Sequence, residues 1–232
     1  ADEASYNAVN SSMLADFYKK MYSAGNGLIV VAGKFDDSLY SQLEKEFGSL
    51  PVGEKFRSAQ IITTSKAEKV YEEKEGAIQS GIRIGKVLDV RFGTDEFFQL
   101  QILNTILGGY FGSRLMSNIR EDKGYTYGIG SAIASMEDAM FFFISTEVGA
   151  DVTNAALIEV YFELNRLRDE LVSEEELVMV KNYILGSMLK SSDGPFSMAD
   201  KYKSVYLKGE DLSFYDRYIS MINNVTSEKL LD

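Results

Sequence analysis

The sequence predicts an α+β chain with a mainly antiparallel sheet and helices packed on one of its faces. Three observations carry this. Strand-length runs at 77–87, 125–135 and 139–148 stand among longer stretches of helical periodicity. Only Met136, Glu137 and Asp138 separate the last two runs, short enough for an antiparallel hairpin. Helical segments flank the strands in runs instead of alternating with them one for one.

Taken in order, residues 10–22 read as a helix. Ser11 or Ser12 is placed to cap it, and Met13, Leu14, Phe17, Tyr18 and Met21 share one face. A turn at 23–27 leads to the apolar run 28–32, ended by Gly33, which has the length of a strand. Asp36 and Asp37 open a helix with Leu39, Tyr40, Leu43 and Phe47 on one side, closed by Gly48. Residues 51–69 lack periodicity and read as a linker. In the 77–87 strand, Ile78, Ser80, Ile82 and Ile84 line one face. Thr94 caps the next helix, with Asp95 and Glu96 in its first turn, where the helix dipole favours acids. Phe97, Leu100, Ile102, Leu103, Ile106 and Leu107 make that helix largely buried, and Gly108-Gly109 stops it. In the 139–148 strand Phe141, Phe142 and Phe143 are consecutive, so both faces are expected to be covered. Asp151 opens a long helix with the stripe Val160, Leu164, Leu167, Leu171. Ser173 with Glu176 forms a capping box for another, with Leu177, Val180, Ile184 and Met188 inward. Gly194-Pro195 breaks it, and helices at 196–208 and 211–222 follow.

Composition narrows the function. Apolar residues make up 45% of 232, enough for a sizeable core. A net charge of -11 argues against non-specific nucleic-acid binding, which relies on basic residues. No run is long enough for a membrane-spanning helix. The chain opens on Ala in mid-pattern, as expected of a segment cut from a longer protein. It has neither cysteine nor histidine. That removes disulfides, His-based triads and every thiolate or imidazole zinc site. Glu174, Glu175 and Glu176 read better as a helix N-terminus than as a carboxylate metal site. Gly108, Gly109 and Gly112 follow a helix and lack the Lys-Ser/Thr of a phosphate loop.

One stretch organises the rest, LNTILGGYFGSRLMSNIREDKGYTYGIGSAI at 103–133. A buried helix ends at a glycine pair, a second short helix follows, and a strand begins after Lys123-Gly124. Arg120 lies near the end of the second helix and Tyr127 two residues into the strand. Both side chains donate hydrogen bonds, so together they could clamp carbonyl oxygens.

The order of pieces resembles the pitrilysin/insulinase zinc peptidases, which include mitochondrial processing peptidase and the bc1 core subunits. The resemblance rests on ADFYKKMYSAGNGLIVVAGKFD, LNTILGGYFGSRLMSNIREDKGYTYGI and LRDELVSEEELVMVKNYILGSM, in that order. It implies a metallohydrolase domain of the processing-peptidase type. It also implies that 1–50 is the closing helix-strand-helix fragment of a preceding homologous domain. Residues 51–67 would then be a linker, and 68–232 the C-terminal, non-zinc domain, truncated at its end. Family members bind zinc through H-x-x-E-H, which is absent here. The resemblance therefore places zinc in a partner half, in the same protein or another subunit, and no cofactor in this chain. It assigns Arg120 and Tyr127 to holding peptide substrate, while Tyr125, of the same strand parity, competes with Tyr127 for the cleft.

Two functions follow from the resemblance. One is a substrate-positioning half of a two-half zinc peptidase, inactive alone. The other is a structural or binding subunit like the bc1 core subunits. Neither involves nucleic acid. A weak echo between 7–16 and 223–232 marks equivalent positions in two domains. It leads to the expectation that 28–33 joins the sheet as its missing last strand, within the chain or by exchange in a homodimer.

Overall fold

Asn10 starts the first long helix. Its side chain accepts from the Met13 backbone N–H, so Ser11 and Ser12 fall inside the first turn instead of capping it. The computed structural model describes residues 2–56, 67–136 and 139–231. These divide into two units, 2–56 with 194–203 and 67–193 with 204–231.

The first unit holds α1 (Glu3–Asn7), α2 (Ser11–Met21) and α3 (Ser38–Phe47). It also holds most of α7 (Pro195–Tyr206), which runs across the boundary. The turn after α2 is tied to residues 51–56. Ala24 N–H donates to Pro51 O, Gly25 N–H donates to Val52 O, and Asn26 bonds Glu54 O and Phe56 N–H. A Cβ on Gly25 would sit 2.5 Å from Val52 O, so the close approach needs glycine. The start of the expected linker is thus docked, and 57–66 lie outside the described residues.

The apolar run 28–32 is not a strand. It has no ladder partner, and Leu28, Ile29 and Val31 are exposed. Apolar content alone makes no strand, because the extended backbone needs a neighbour for its hydrogen bonds. The sheet of the described residues has three strands, and 28–33 is not among them. The expectation that it fills a sheet edge within its own chain is overturned. Met13, Leu14, Phe17 and Tyr18 of α2 and Tyr40 and Phe47 of α3 are also exposed, and neither helix has a buried residue.

The second unit is built on β1 (Gln79–Leu88), β2 (Ile129–Ser135) and β3 (Met140–Gly149), antiparallel in the order β1-β3-β2. Ile82 pairs with Thr146, Ile84 with Ile144, and Ile133 with Phe142. Ile78 precedes the sheet and is exposed. The β2–β3 connection closes as a hairpin, Met136 N–H donating to Ala139 O, with 137–138 outside the described residues.

Helices α4 (Asp95–Asn104), α5 (Thr153–Asp169), α6 (Glu174–Lys190), α8 (Ser213–Asn224) and α9 (Ser227–Leu231) supply the core on one sheet face. Ile102, Ile106, Leu115, Ile119, Ile144, Val160, Val180 and Ile222 are fully buried. Each such side chain contributes about 1.5–3 kcal/mol. Thr94 caps α4 by accepting from Phe97 N–H at 3.3 Å. Leu171 falls beyond the end of α5 and is exposed, so the inward stripe stops at Leu167. The three phenylalanines split by strand parity: Phe142 packs into the core, while Phe141 and Phe143 lie side by side on the other face, ring centroids 5.8 Å apart. Among the described residues no helix is long and apolar enough to cross a membrane.

Candidate functional site

The site grows from the way α4 ends. Past Asn104 the helix widens into a π-turn, Thr105–Gly109, whose last residues lie against β2. A Cβ on Gly108 would come within 2.6 Å of Ser131 N, so only glycine allows this contact. The chain then turns through 110–113, closed by Ser113 N–H donating to Tyr110 O at 3.2 Å. It re-enters a helix that widens to a π-helix over Met116–Asp122, which carries Arg120 in its last turn.

The exit from that helix decides which tyrosine is available. Gly124 takes φ +66, a left-handed backbone that suits glycine. Tyr125 N–H then donates to Ile119 O at 3.0 Å, folding the chain back on the helix. This packs the Tyr125 ring against the core around Ile119 and Ile82. Thr126 fastens the next turn: its hydroxyl contacts Gly128 O, Glu147 O and the Thr146 hydroxyl and accepts from Gly128 N–H. The strand starts only at Ile129, so Tyr127 lies in a bend before it and not within it. Tyr127 is 95% exposed. The parity of Tyr125 and Tyr127 is therefore irrelevant, because neither belongs to the ladder.

Arg120 is about a third exposed, at 32% for its side chain. Its guanidinium carbon lies 4.7 Å from the centroid of the Phe111 ring. Nη1 sits 2.9 Å from Glu121 Oε1 yet lacks an aligned hydrogen-bond acceptor. Arg120 and Tyr127 thus share one connection, but no hydrogen bond, ion pair or ring contact joins them among the described residues.

A second polar cluster was not anticipated. Arg114 is 8% exposed and forms a two-pronged bond to Glu176, Nε to Oε1 at 2.9 Å and Nη2 to Oε2 at 2.7 Å. The Glu176 carboxylate holds the Arg114 guanidinium above its ordinary range, against the opposing effect of burial. Asn118 donates to Glu159 and to the buried Glu163, which also pairs with Arg166. These residues line a polar cleft of about 620 Å³. The sequence signal for the pair was Glu176 itself. Ser173 does accept from Glu176 N–H, but the Glu176 side chain turns to Arg114, so only half of the capping box forms.

Among the described residues no three His, Cys, Asp or Glu side chains are grouped to hold a metal. Glu174 and Glu175 are exposed and Glu176 is spent on Arg114. This donor set does not fit zinc, whose protein sites use imidazole and thiolate with at most one or two carboxylates.

The comparisons with known proteins agree with this geometry. The family model "Peptidase M16 inactive domain" matches residues 8–184. The chain is 29% identical over 230 residues to the "Uncharacterized zinc protease YmxG" of Bacillus subtilis, covering 98% of this chain and 55% of that protein. It spans about half the length of the curated relatives it matches. Two solved structures share its fold. The peptidase M16 inactive domain of Pseudomonas fluorescens has a TM-score of 0.86 at 22% identity, covering 100% of this chain and 55% of that one. A chain of complex III2 from Candida albicans has a TM-score of 0.74 at 16% identity, covering 96% and 55%. A helix-backed antiparallel sheet, matched by that model over most of the chain's length, identifies the chain as a member of the peptidase M16 family, in its inactive-domain region.

Proposed function

We propose that this chain is the zinc-free half of a two-half metallopeptidase and that it positions peptide substrate through Arg120 and Tyr127. One observation carries the reading. Arg120 and Tyr127 flank a single helix exit: Tyr127 is 95% exposed, and Arg120, whose Nη1 is buried beside Glu121 without an aligned acceptor, makes no hydrogen bond among the described residues. A peptide backbone offers a carbonyl acceptor at every residue, which guanidinium N–H groups and a phenol hydroxyl can engage. Fixing the peptide this way lowers the entropy cost of reaching the reactive geometry. The zinc belongs to the other half, in the same protein or in a partner subunit.

The first unit supports a division of labour. Its exposed apolar faces on α2, α3 and 28–32 have the character of surfaces covered by another domain. We read 1–50 as the closing fragment of a preceding homologous domain, 51–67 as a linker, and 68–232 as the non-zinc domain.

A second reading is a structural or binding subunit without catalysis. The fold likeness to a complex III2 chain favours it. The two are separated by mixing this chain with the zinc-bearing half of its own parent protein. Zinc content is measured by atomic absorption and cleavage by a quenched fluorescent peptide. The first reading expects no stoichiometric zinc and no cleavage from this chain alone, with cleavage in the mixture. A mixture that binds peptide and never cleaves favours the second. One tightly held zinc on this chain alone, lost together with cleavage on chelation, would sink both.

A further inference from the structure

Phe111 lies at the tip of the 110–113 turn and is 66% exposed, so it has no core to fill. Its neighbour Tyr110 turns the other way, its ring 4.6 Å from that of Tyr183 and its hydroxyl 3.7 Å from Met179 Sδ. Tyr110 thereby anchors the turn to α6, and a Cβ on Gly112 would strike the Tyr110 ring at 2.8 Å. From the anchored turn Phe111 lies over Arg120, with the guanidinium carbon 4.7 Å from its centroid.

We propose that Phe111 is a positioning residue that holds the Arg120 guanidinium flat for a peptide carbonyl, a role that rests on the reading of Arg120 above. The physical basis is a division of the guanidinium surface. Ring stacking uses its face, whereas its hydrogen bonds leave along its edge. Phe111 can therefore fix the group without consuming a donor. Arg114 shows the contrasting use, where two edge donors are taken by Glu176. Glu121 approaches Arg120 Nη1 at 2.9 Å but out of alignment, so it adds charge attraction and no bond. A long, partly exposed arginine loses rotamer freedom when a ligand captures it. Phe111 removes part of that loss in advance, which is preorganisation.

The test uses the whole chain and, as probe, a fluorescein-labelled unstructured peptide of alternating leucine and serine, read by anisotropy. Phe111→Leu is expected to weaken binding about two- to fivefold, the range of an exposed cation–π contact. Phe111→Tyr, which keeps the ring, should bind as the parent does. In an Arg120→Ala background, Phe111→Leu should add nothing, because its effect passes through the guanidinium. In the free chain, the Arg120 Nε–H NMR signal should lose its ring-current shift in Phe111→Leu and keep it in Phe111→Tyr. An unmoved signal, unchanged binding in Phe111→Leu, or the same loss with and without Arg120 would each overturn the proposal. If Arg120→Ala weakens binding and Phe111→Leu does not, the proposal fails and the reading of the site stands. If Arg120→Ala binds as the parent does, both fall.

Discussion

Arg114 and Glu176 lie 62 positions apart in the chain and meet through two parallel bonds of 2.9 and 2.7 Å. The pair ties the helix that carries Arg120 to the first turn of α6. Its two members differ in exposure, 8% for the Arg114 side chain and 27% for Glu176. Losing Glu176 strands a buried cation, while losing Arg114 leaves a carboxylate that water can reach. Glu176→Ala should therefore cost about 3 kcal/mol, and Arg114→Ala less. Urea unfolding checks the order. The double change Arg114→Met with Glu176→Leu should recover much of the loss, since no charge is then left unpaired.

Gly108→Ala should destabilise the second unit. The new Cβ would lie 2.6 Å from Ser131 N and 3.0 Å from Leu115 Cδ1. Alanine favours helix by about 1 kcal/mol over glycine. A clash with backbone costs about 1–3 kcal/mol and cannot be relieved by a rotamer, so it should win. A lower urea midpoint with an unchanged slope is the expected outcome.

Alkaline unfolding should involve Tyr218. Burial pushes its phenol up to about 12 from 10.0. The folded state keeps the proton where the unfolded state has released it. The stabilisation is complete below pH 10 and is lost as pH rises towards 12. The total is about 2–3 kcal/mol. Stability of Tyr218→Phe, measured by denaturant titration at several pH values, should fall less steeply across that window.

Arg120→Ala and Tyr127→Phe should separate function from stability. Tyr127 is almost wholly exposed, so removing its hydroxyl should leave stability within about 0.5 kcal/mol. In the proposed assembly with a zinc-bearing half, loss of a donor to a developing oxyanion should cost about 10²–10³ in turnover. A donor that only orients the peptide costs less and shows in KM. Steady-state kinetics beside thermal unfolding distinguish the two, and unchanged kinetics in both variants would remove the pair from the site.

Much of the second unit was legible in the residues. Thr94 caps α4, the short 136–138 connection makes a hairpin, and Leu177, Val180 and Ile184 face inward. Each depends on neighbours a few positions away, so local spacing is sufficient information. The stretch holding Arg120 and Tyr127 was singled out from local spacing too. Its contacts were not, because Phe111 reaches Arg120 only after the 110–113 turn is anchored on α6.

By itself the sequence determined the α+β class, the family resemblance and the lack of imidazole and thiolate ligands, all properties of composition and order. Tertiary structure decided where side chains spend their bonding capacity. It sent Glu176 to Arg114 instead of back to its own helix cap. It packed a half-buried Tyr125 against the core and left Tyr127 exposed, through a glycine at φ +66 and a bond from Tyr125 N–H to Ile119 O. It left 28–32 unpaired although its apolar content suits a strand. The physical reason is common to all three. A hydrogen bond or a ladder needs a partner at a set distance and angle, and only the folded chain determines which partner arrives.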